Sequence, residues 1–357
     1  MGWSVHHKQG LIHHDPAKAF AGYTLVAMSG GTDAYLIDMA GRTCHQWHRD
    51  EGLAYGFFLP NGNLLARTKA SGGSAEVGDQ PLGLLELDWM GNVVWEYWHP
   101  LVHHDFERLP NGNTLGVFYD PLPADFAARV AGGRGQTPEV MYGDSVRELA
   151  PSGEVVNEWR LWEALDPDHD AICPLEGRHQ WLHQNALNLT AEGDLLVSFR
   201  QIDTVGIVSR DTGKFTWKWG PGEVSHQHHP TQLDNGNILL FDNGPHRGGA
   251  TFSRVIEVNP ATNKIEWEYK GDPTISFYSF HISGAERQPN GNTLITEGAP
   301  GRIFEVTREG QIAWEYVNPH RIEGATMGSG APNSVFRAHR YAADHPALAG
   351  KDLTPRD

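Results

Sequence analysis

A tryptophan that follows a small turn residue and an apolar residue recurs six times, in GRTCHQW, GNVVW, GEVVNEW, GKFTW, NKIEW and GQIAW. Successive copies are 48, 64, 58, 50 and 47 residues apart. A repeat of roughly 40 to 50 residues that contains several short strands and glycine turns is typical of one β-propeller blade. Six copies therefore predict six blades. The repeated residues are Trp47, Trp95, Trp159, Trp217, Trp267 and Trp314.

A second repeated motif is a four-residue turn with glycine at its third position, which occurs five times. Asn-Gly between apolar segments favours a two-residue type I′ hairpin, because both central residues tolerate positive φ. The unit at residues 281–319 shows the complete pattern of four strands, ISGAERQ, NTLITEG, GRIFEV and QIAWEYV. The turns begin at Pro60, Pro110, Ala191, Asp234 and Pro289.

The sequence contains five of these hairpin turns but six of the repeated tryptophans. This difference implies that the unit ending at Trp47 lacks its own first strand. The C-terminal segment NSVFRAHRY, residues 333–341, alternates apolar and polar residues and has no unit after it. We expect this segment to supply the missing strand and to close the ring, which removes two exposed sheet edges. The sequence thus predicts an all-β, six-bladed propeller of four-stranded blades as a single domain over residues 1–357. Insertions at about 120–142 and 160–178 are expected to be lids, functional loops or surface decoration.

Charge and cysteine content narrow the class of partner and the compartment. The chain has 28 Lys and Arg against 44 Asp and Glu, a formal net charge of −16, which disfavours nucleic acid or a membrane as partner. The N-terminal residues contain no apolar signal segment, which predicts a cytoplasmic protein, or a periplasmic one if a signal peptide was removed. Cys44 and Cys173 are too few for a disulfide framework, so free thiols are expected, with one disulfide as the alternative.

Histidines precede the first hairpin turn of four units by an odd number of residues. His104 and His228 lie seven residues before the turn residue, and His183, His226 and His281 lie nine before it. Side chains of a strand alternate between its two faces, so these histidines are expected on one side, facing the propeller channel. A bulge would break this parity, and we expect one in residues 189–191. The predicted layers are His183, His226 and His281 in one, and His104, His228, Asn185 and Ser283 in the other.

Two kinds of chemistry fit a histidine cluster in a channel. Neutral imidazoles can bind a divalent transition metal, with His104, His183, His228 and His281 as the candidate ligands. Alternatively, histidines and an arginine can bind an anion, with one histidine as nucleophile or general base. Asp105 is then expected to orient the imidazole of His104. The further candidates for substrate binding are Arg254, whose guanidinium suits sulfate or phosphate, and Tyr55, Asn185, Arg200 and Arg302.

Residues 183–244 resemble the bacterial arylsulfate sulfotransferase family of six-bladed propellers. The likeness lies in HQNALNL, LLVSFRQIDTVGIVSRDTGKFTWKWG, QHHPTQLDNGNILLFDNG and SRVIEV, and the blade pattern extends it more weakly over the chain. That family transfers a sulfuryl group between phenols through a sulfohistidine. The resemblance implies that His183 and His228 line the channel and that Arg254 binds sulfate. The family's nucleophilic histidine lies in the strand matching GAPGRIFEV, which has none here, so His281 is the candidate to replace it.

The function that these observations predict is an arylsulfotransferase-like enzyme with a histidine-rich channel site and a small aromatic or anionic substrate. His228 or His281 is expected to carry the covalent adduct, with His104, His183 and Arg254 as further catalytic candidates. The alternatives are a divalent-metal lyase, hydrolase or oxidase in the same channel, and a non-catalytic interaction propeller. A homo-oligomer is compatible with each of them.

Overall fold

The computed structural model describes residues 8–68, 82–322 and 332–356. Within these ranges six sheets contain four antiparallel strands each, one of them extended by a fifth strand. The predicted fold class, an all-β six-bladed propeller with four-stranded blades, is confirmed. The described residues form two compact units with three blades each. We call them the terminal unit (8–68, 82–98, 279–322 and 332–356) and the central unit (99–278).

The terminal unit contains blades 1, 2 and 6. Blade 1 consists of β2 (Tyr23–Met28), β3 (Asp33–Ile37), β4 (Thr43–His48) and β27 (Val335–Tyr341). Blade 2 consists of β5 (Tyr55–Phe58), β6 (Leu64–Arg67), β7 (Leu82–Leu87) and β8 (Val93–His99). Blade 6 consists of β23 (Gly284–Arg287), β24 (Thr293–Glu297), β25 (Arg302–Val306) and β26 (Ile312–Val317), with β1 (Gly10–His14) paired to β26.

The central unit contains blades 3, 4 and 5. Blade 3 consists of β9 (Val102–Arg108), β10 (Thr114–Pro121), β12 (Tyr142–Leu149) and β13 (Val155–Arg160). Blade 4 consists of β15 (Gln184–Leu189), β16 (Leu195–Phe199), β17 (Thr204–Val208) and β18 (Phe215–Trp219). Blade 5 consists of β19 (His228–Gln232), β20 (Ile238–Asp242), β21 (Arg254–Asn259) and β22 (Lys264–Lys270).

The C-terminal strand completes blade 1, as the repeat count predicts. β27 pairs antiparallel with β2, from Tyr341 opposite Tyr23 to Val335 opposite Met28. Blade 1 is therefore built from chain segments that are about 300 residues apart in sequence. Without β27, β2 would expose a row of unpaired backbone groups at a sheet edge.

The repeated tryptophans join neighbouring blades. For the four repeated tryptophans whose next blade lies in the same unit, the indole N–H donates to the turn before the fourth strand of that blade. Trp47 donates to Asp88 O (3.1 Å) and Trp314 to Met39 O (2.9 Å) in the terminal unit. Trp159 donates to Arg210 O (2.8 Å) and Trp217 to Asn263 Oδ1 (2.8 Å) in the central unit. The repeat spacing therefore reflects one hydrogen bond that recurs from blade to blade.

The hairpin turns differ from the predicted type I′ geometry. In the first of them the Gly62 N–H donates to Leu59 O and the Leu59 N–H to Asn63 O, which encloses a three-residue loop. Gly62 has positive φ (84°), whereas Asn61 does not. Asn61 instead accepts the Asn63 N–H on its side chain (3.0 Å). The turn that begins at Asp234 has no proline and forms the same hydrogen bonds. The prediction was wrong because one left-handed glycine and the asparagine side chain close a three-residue loop.

Both insertions fall in the central unit and pack together. The first contains a short helix, α1 (Ala124–Arg129), and a short strand, β11 (Gly132–Arg134). The second contains a 3₁₀ turn (Leu161–Ala164) and the strand β14 (Ile172–Gly177), which pairs in parallel with β11. Across the described ranges, no helix has the length and apolar character needed to cross a membrane.

Candidate functional site

The inner strands of the central unit each contain a β-bulge near the start, where the histidines lie. The pairing register shifts between His103 and Phe106 in β9, between Gln184 and Ala186 in β15, and between His228 and Thr231 in β19. The bulge expected at residues 189–191 is thus placed earlier in the strand. These shifts invalidate the predicted layers: the rings of His104 and His183, assigned to different layers, are 4.6 Å apart.

Four histidines near these bulges have a left-handed backbone, which is uncommon for residues other than glycine. Their φ angles are 49° for His104, 53° for His183, 58° for His226 and 52° for His229. Strained backbone of this kind persists only where surrounding contacts enforce it, and it concentrates at functional sites. The bulges therefore aim this cluster of imidazoles at one place in the central unit.

His104 is held by its sequence neighbour His103. The two Nδ1 atoms are 2.7 Å apart, so one nitrogen donates and the other accepts. The His103 ring stacks on Tyr119 at 3.7 Å, and its Nε2 lies 2.9 Å from Asp144 Oδ1, with both side chains buried. A proton on His103 Nε2, the nitrogen beside the Asp144 carboxylate, would make His103 Nδ1 the acceptor and His104 Nδ1 the donor. The lone pair of His104 is then on Nε2.

His183 lies beside His104 and is surrounded by positive or polar groups. Its Nδ1 is hydrogen-bonded to Gln180 Oε1. Burial, followed by the charges of Arg200 and the neighbouring histidines, holds the pKa of His183 well below its usual value. Protein atoms crowd around the imidazole, and the residue as a whole is partly exposed. His183 is therefore a neutral, reachable imidazole.

His226 is fully buried between two carboxylates. Its Nδ1 lies 3.0 Å from Asp203 Oδ1 and its Nε2 lies 2.9 Å from Glu176 Oε1. Burial lowers the pKa of His226, but the hydrogen bonds to Asp203 and Glu176 outweigh it and raise the pKa overall. Burial likewise opposes ionisation of Glu176, yet His226 and Arg200 bring its pKa down to about 2. The Arg200 guanidinium is 3.0 Å from the same carboxylate oxygen of Glu176.

His228 and Asn185 lie deeper in the central unit. His228 Nδ1 is 2.7 Å from Asn243 Oδ1 and 3.0 Å from the His226 carbonyl oxygen, and the residue is 3% exposed. Asn185 is fully buried and donates to the Gln227 carbonyl (2.8 Å). Both residues fix the backbone around the cluster.

Arg254, predicted to bind sulfate, has its guanidinium engaged by protein groups. Nε donates to Asp242 Oδ2 (2.7 Å), Nη1 to Glu268 Oε1 (2.8 Å) and Nη2 to Glu223 O (2.6 Å). Asp242 is fully buried and also accepts from Arg247. These contacts indicate a structural role, and a substrate role for Arg254 stays a prediction.

Three predicted site residues lie in the terminal unit. The ring of His281 stacks on Phe280 (4.1 Å between centroids). Tyr55 is buried, and its hydroxyl accepts from Arg337 (2.9 Å). Arg302 pairs with Glu297 and Glu315 inside blade 6, at 3.0 and 2.7 Å. Their assignment to a substrate site stays a prediction.

The structure adds residues that the sequence analysis missed. His103, Gln180, Glu176 and Asp203 contact the imidazoles, whereas Asp105 accepts the backbone N–H of Leu187 (3.0 Å). The doubled His103-His104 was a usable signal, because adjacent histidines on a bulge can reach each other. No sequence signal pointed to Glu176, since it lies in an insertion without a repeat pattern. The group of side chains with metal-ligating atoms within 4.8 Å of one another, in the described ranges, is Cys173, His226 and His246.

The fold and this cluster define a six-bladed β-propeller with a buried site of histidines, an arginine and carboxylates. A family model described as Arylsulfotransferase (ASST) matches residues 83–319, about two thirds of the chain. The chain belongs to the arylsulfotransferase family. No curated protein matches it significantly.

Solved structures resemble the chain at low sequence identity. One is a protein of unknown function from Bacteroides caccae, with 14% identity, 90% of this chain and 98% of that chain covered, and a TM-score of 0.57. A streptogramin B lyase has 13% identity, 93% of both chains covered and a TM-score of 0.49. A virginiamycin B lyase from Staphylococcus aureus has 13% identity, 76% and 72% covered, and a TM-score of 0.44. At such identities the first likeness concerns the fold alone.

Proposed function

We propose that this protein transfers sulfuryl groups between aromatic acceptors and that His183 carries the sulfuryl group. The observation behind this proposal is the state of His183, a neutral imidazole whose Nδ1 is bonded to Gln180 Oε1. A proton on Nδ1 leaves the lone pair on Nε2, which has no hydrogen-bond partner among the described residues. A neutral nitrogen of this kind is a competent nucleophile. His183 thus takes the role expected for His228 or His281.

In the proposed reaction, Nε2 of His183 attacks the sulfur of an aryl sulfate. A nitrogen–sulfur bond forms, the sulfur–oxygen bond to the aromatic ring breaks, and the phenolate leaves with the electron pair. The hydroxyl oxygen of a second phenol then attacks the sulfur, the nitrogen–sulfur bond breaks, and its electron pair returns to Nε2 of His183. The hydroxyl proton of this phenol goes to His104, whose ring is 4.6 Å from that of His183, and from there to solvent.

Arg200 is the arginine that we assign to the sulfuryl oxygens. It follows β16, its backbone N–H donates to His183 O (3.2 Å), and its charge acts on the His183 imidazole. Nη1 contacts Glu176, while Nε and Nη2 have no hydrogen-bond partner among the described residues. A guanidinium with two donors to spare suits the oxygens of a transferring group.

The test uses a nitrophenyl sulfate donor with a phenol acceptor, and mass spectrometry of the enzyme after incubation with donor alone. We expect nitrophenol release and an adduct of one sulfuryl group on His183. His183→Ala should abolish both. Arg200→Lys keeps the charge but loses the paired N–H donors of the guanidinium. It should lower kcat/KM by about 100-fold, or roughly 2–3 kcal/mol of transition-state binding.

Two variants serve as controls. His48 is 56% exposed and Arg129 pairs with Asp168 on the surface of the first insertion, so His48→Ala and Arg129→Lys should keep full activity. A wild-type protein that releases no nitrophenol, or a His183→Ala variant that still forms the adduct, would refute the proposal. The cytoplasmic location, the absence of nucleic-acid or membrane partners and the oligomeric state stay predictions.

A further inference from the structure

The second insertion places a cysteine against histidines of blade 5. Cys173 lies on β14, its backbone N–H donates to the Gln201 carbonyl (2.7 Å), and it is buried. Its Sγ is 3.2 Å from His246 Nδ1. The ring of His246 is 4.4 Å from that of His226, measured between centroids. One ligand atom from each of these three residues lies within 4.8 Å of the other two.

His226 has the carboxylate partner that a metal-binding histidine uses. A histidine that ligates a metal usually donates its other ring N–H to a carboxylate, which fixes the tautomer and the ring orientation. Asp203 lies at Nδ1 and Glu176 at Nε2, so either nitrogen can bind an ion while the other keeps a carboxylate acceptor. The backbone N–H of His226 also donates to Asp203 (2.8 Å), which fixes that carboxylate in place.

We propose that Cys173, His226 and His246 bind one transition-metal ion of the Zn²⁺ class. Thiolate and imidazole ligands favour such ions over Mg²⁺ or Ca²⁺. When the ion binds, the thiol proton of Cys173 and any proton on the ligating nitrogen of His226 leave to solvent. Charge then balances, because a thiolate and the carboxylates of Asp203 and Glu176 face the dication and the Arg200 guanidinium.

The spacing suits a tetrahedral site after small side-chain shifts. Zinc bonds of about 2.3 Å to sulfur and about 2.0–2.1 Å to nitrogen place neighbouring ligand atoms roughly 3.5 Å apart. The Cys173–His246 distance of 3.2 Å is already close to this value. The ion would tie the second insertion to the start of β19 and to the loop after β20. None of the three ligands Cys173, His226 and His246 is assigned to the sulfuryl transfer, and the cobalt titration measures metal binding without activity. This inference and the proposed sulfuryl transfer can therefore fail separately.

The experiment titrates the chelator-treated full-length chain with Co²⁺ and then with Zn²⁺. Wild type should show the near-ultraviolet absorption of a cobalt–thiolate bond, which Zn²⁺ then removes, and Zn²⁺ should raise the melting temperature. Cys173→Ser and His246→Ala should lose the absorption band or weaken Zn²⁺ binding by at least about 10-fold. Cys44→Ser, which changes the other free thiol, and His169→Ala, which changes an exposed histidine, should behave as wild type.

Melting of the metal-free variants shows whether each one is folded, and His246→Ala, at a partly exposed position, provides the result if Cys173→Ser does not fold. The proposal is overturned if wild type shows no cobalt–thiolate absorption. It is also overturned if a folded Cys173→Ser or His246→Ala variant binds Zn²⁺ as tightly as wild type.

Discussion

Individual side chains in this protein are tuned by where the fold places them, as His45 illustrates away from the proposed site. His45 is 5% exposed, its Nε2 contacts Trp89 O (2.8 Å), and its Nδ1 lies 3.2 Å from the Arg356 guanidinium. Burial and the positive charge of Arg356 lower the pKa of His45, and the bond to Trp89 O opposes them only in part. The ring is therefore held neutral, with Nδ1 accepting from Arg356.

This arrangement predicts a pH dependence of stability. Unfolded His45 titrates near 6.5 and folded His45 at a lower pH, so between those values the unfolded state binds more protons. The contribution of His45 is thus complete above about pH 6.5 and is lost as the pH falls toward the folded pKa. His45→Gln, which retains a donor and an acceptor, should reduce the loss of unfolding free energy between about pH 7.5 and pH 5.5.

Chemical denaturation at the two pH values measures the change in unfolding free energy, which is compared between the variant and wild type. His48→Gln is the matched control, because His48 is exposed and hydrogen bonds to Asp33 and Asp50 raise its pKa. A His45→Gln variant with the same pH dependence as wild type would show that His45 titrates normally in the folded state.

Among the strands, the recurring contact is the indole N–H that joins one blade to the next. Trp314 is fully buried and donates to the Met39 carbonyl, whereas Trp217 is half-buried and donates to the side chain of Asn263. Trp314→Phe should cost about 1–3 kcal/mol, since it removes a part-buried hydrogen bond and part of a fully buried ring. Trp217→Phe should cost less, because water can replace the donor. Equal losses in urea denaturation would contradict this role of the repeat.

A related contact links four of the five hairpin turns to the third strand of their blade. Asn63, Asn113, Asn237 and Asn292, the last residue of four of the turns, donate to Glu86, Glu148, Glu257 and Glu305, respectively. The glutamates are buried. A buried carboxylate is tolerated only with such partners, so the turn motif and the glutamate position are one structural feature. The turns could be recognised in the sequence, whereas the glutamates that accept from them could not.

For the molecule as a whole, completion of blade 1 by β27 is the contact that links the most distant parts of the sequence. Deleting residues 333–356 should lower the melting temperature of the entire protein, because β2 loses its partner along the whole strand. A truncated protein with the melting temperature of wild type would contradict the role of β27. The prediction of a single domain over residues 1–357 is tested by the same scans, since one domain should unfold in a single transition.

The number of blades, the strand order within them and the partner of β2 were predictable from the sequence. Each depends on local periodicity, namely a repeated tryptophan, a glycine turn and a two-residue alternation. All of these can be recognised in the sequence without knowledge of distant contacts. Strand parity predicted that His104, His183, His226, His228 and His281 converge. The structure brings the rings of His104 and His183 to 4.6 Å of each other, and the assignment of the whole set to one site stays a prediction.

The arrangement inside the cluster was decided by the tertiary structure. Bulges in β9, β15 and β19 shift the register, so His104 meets His183 although strand parity places them in different layers. The groups that set their chemistry, Glu176 and Cys173, arrive on an insertion whose strand pairs with another insertion. The alternation of side chains between the two faces of a strand holds only where the strand is regular. An insertion has no repeat pattern from which its position could be predicted. Only the folded chain therefore brings these groups together.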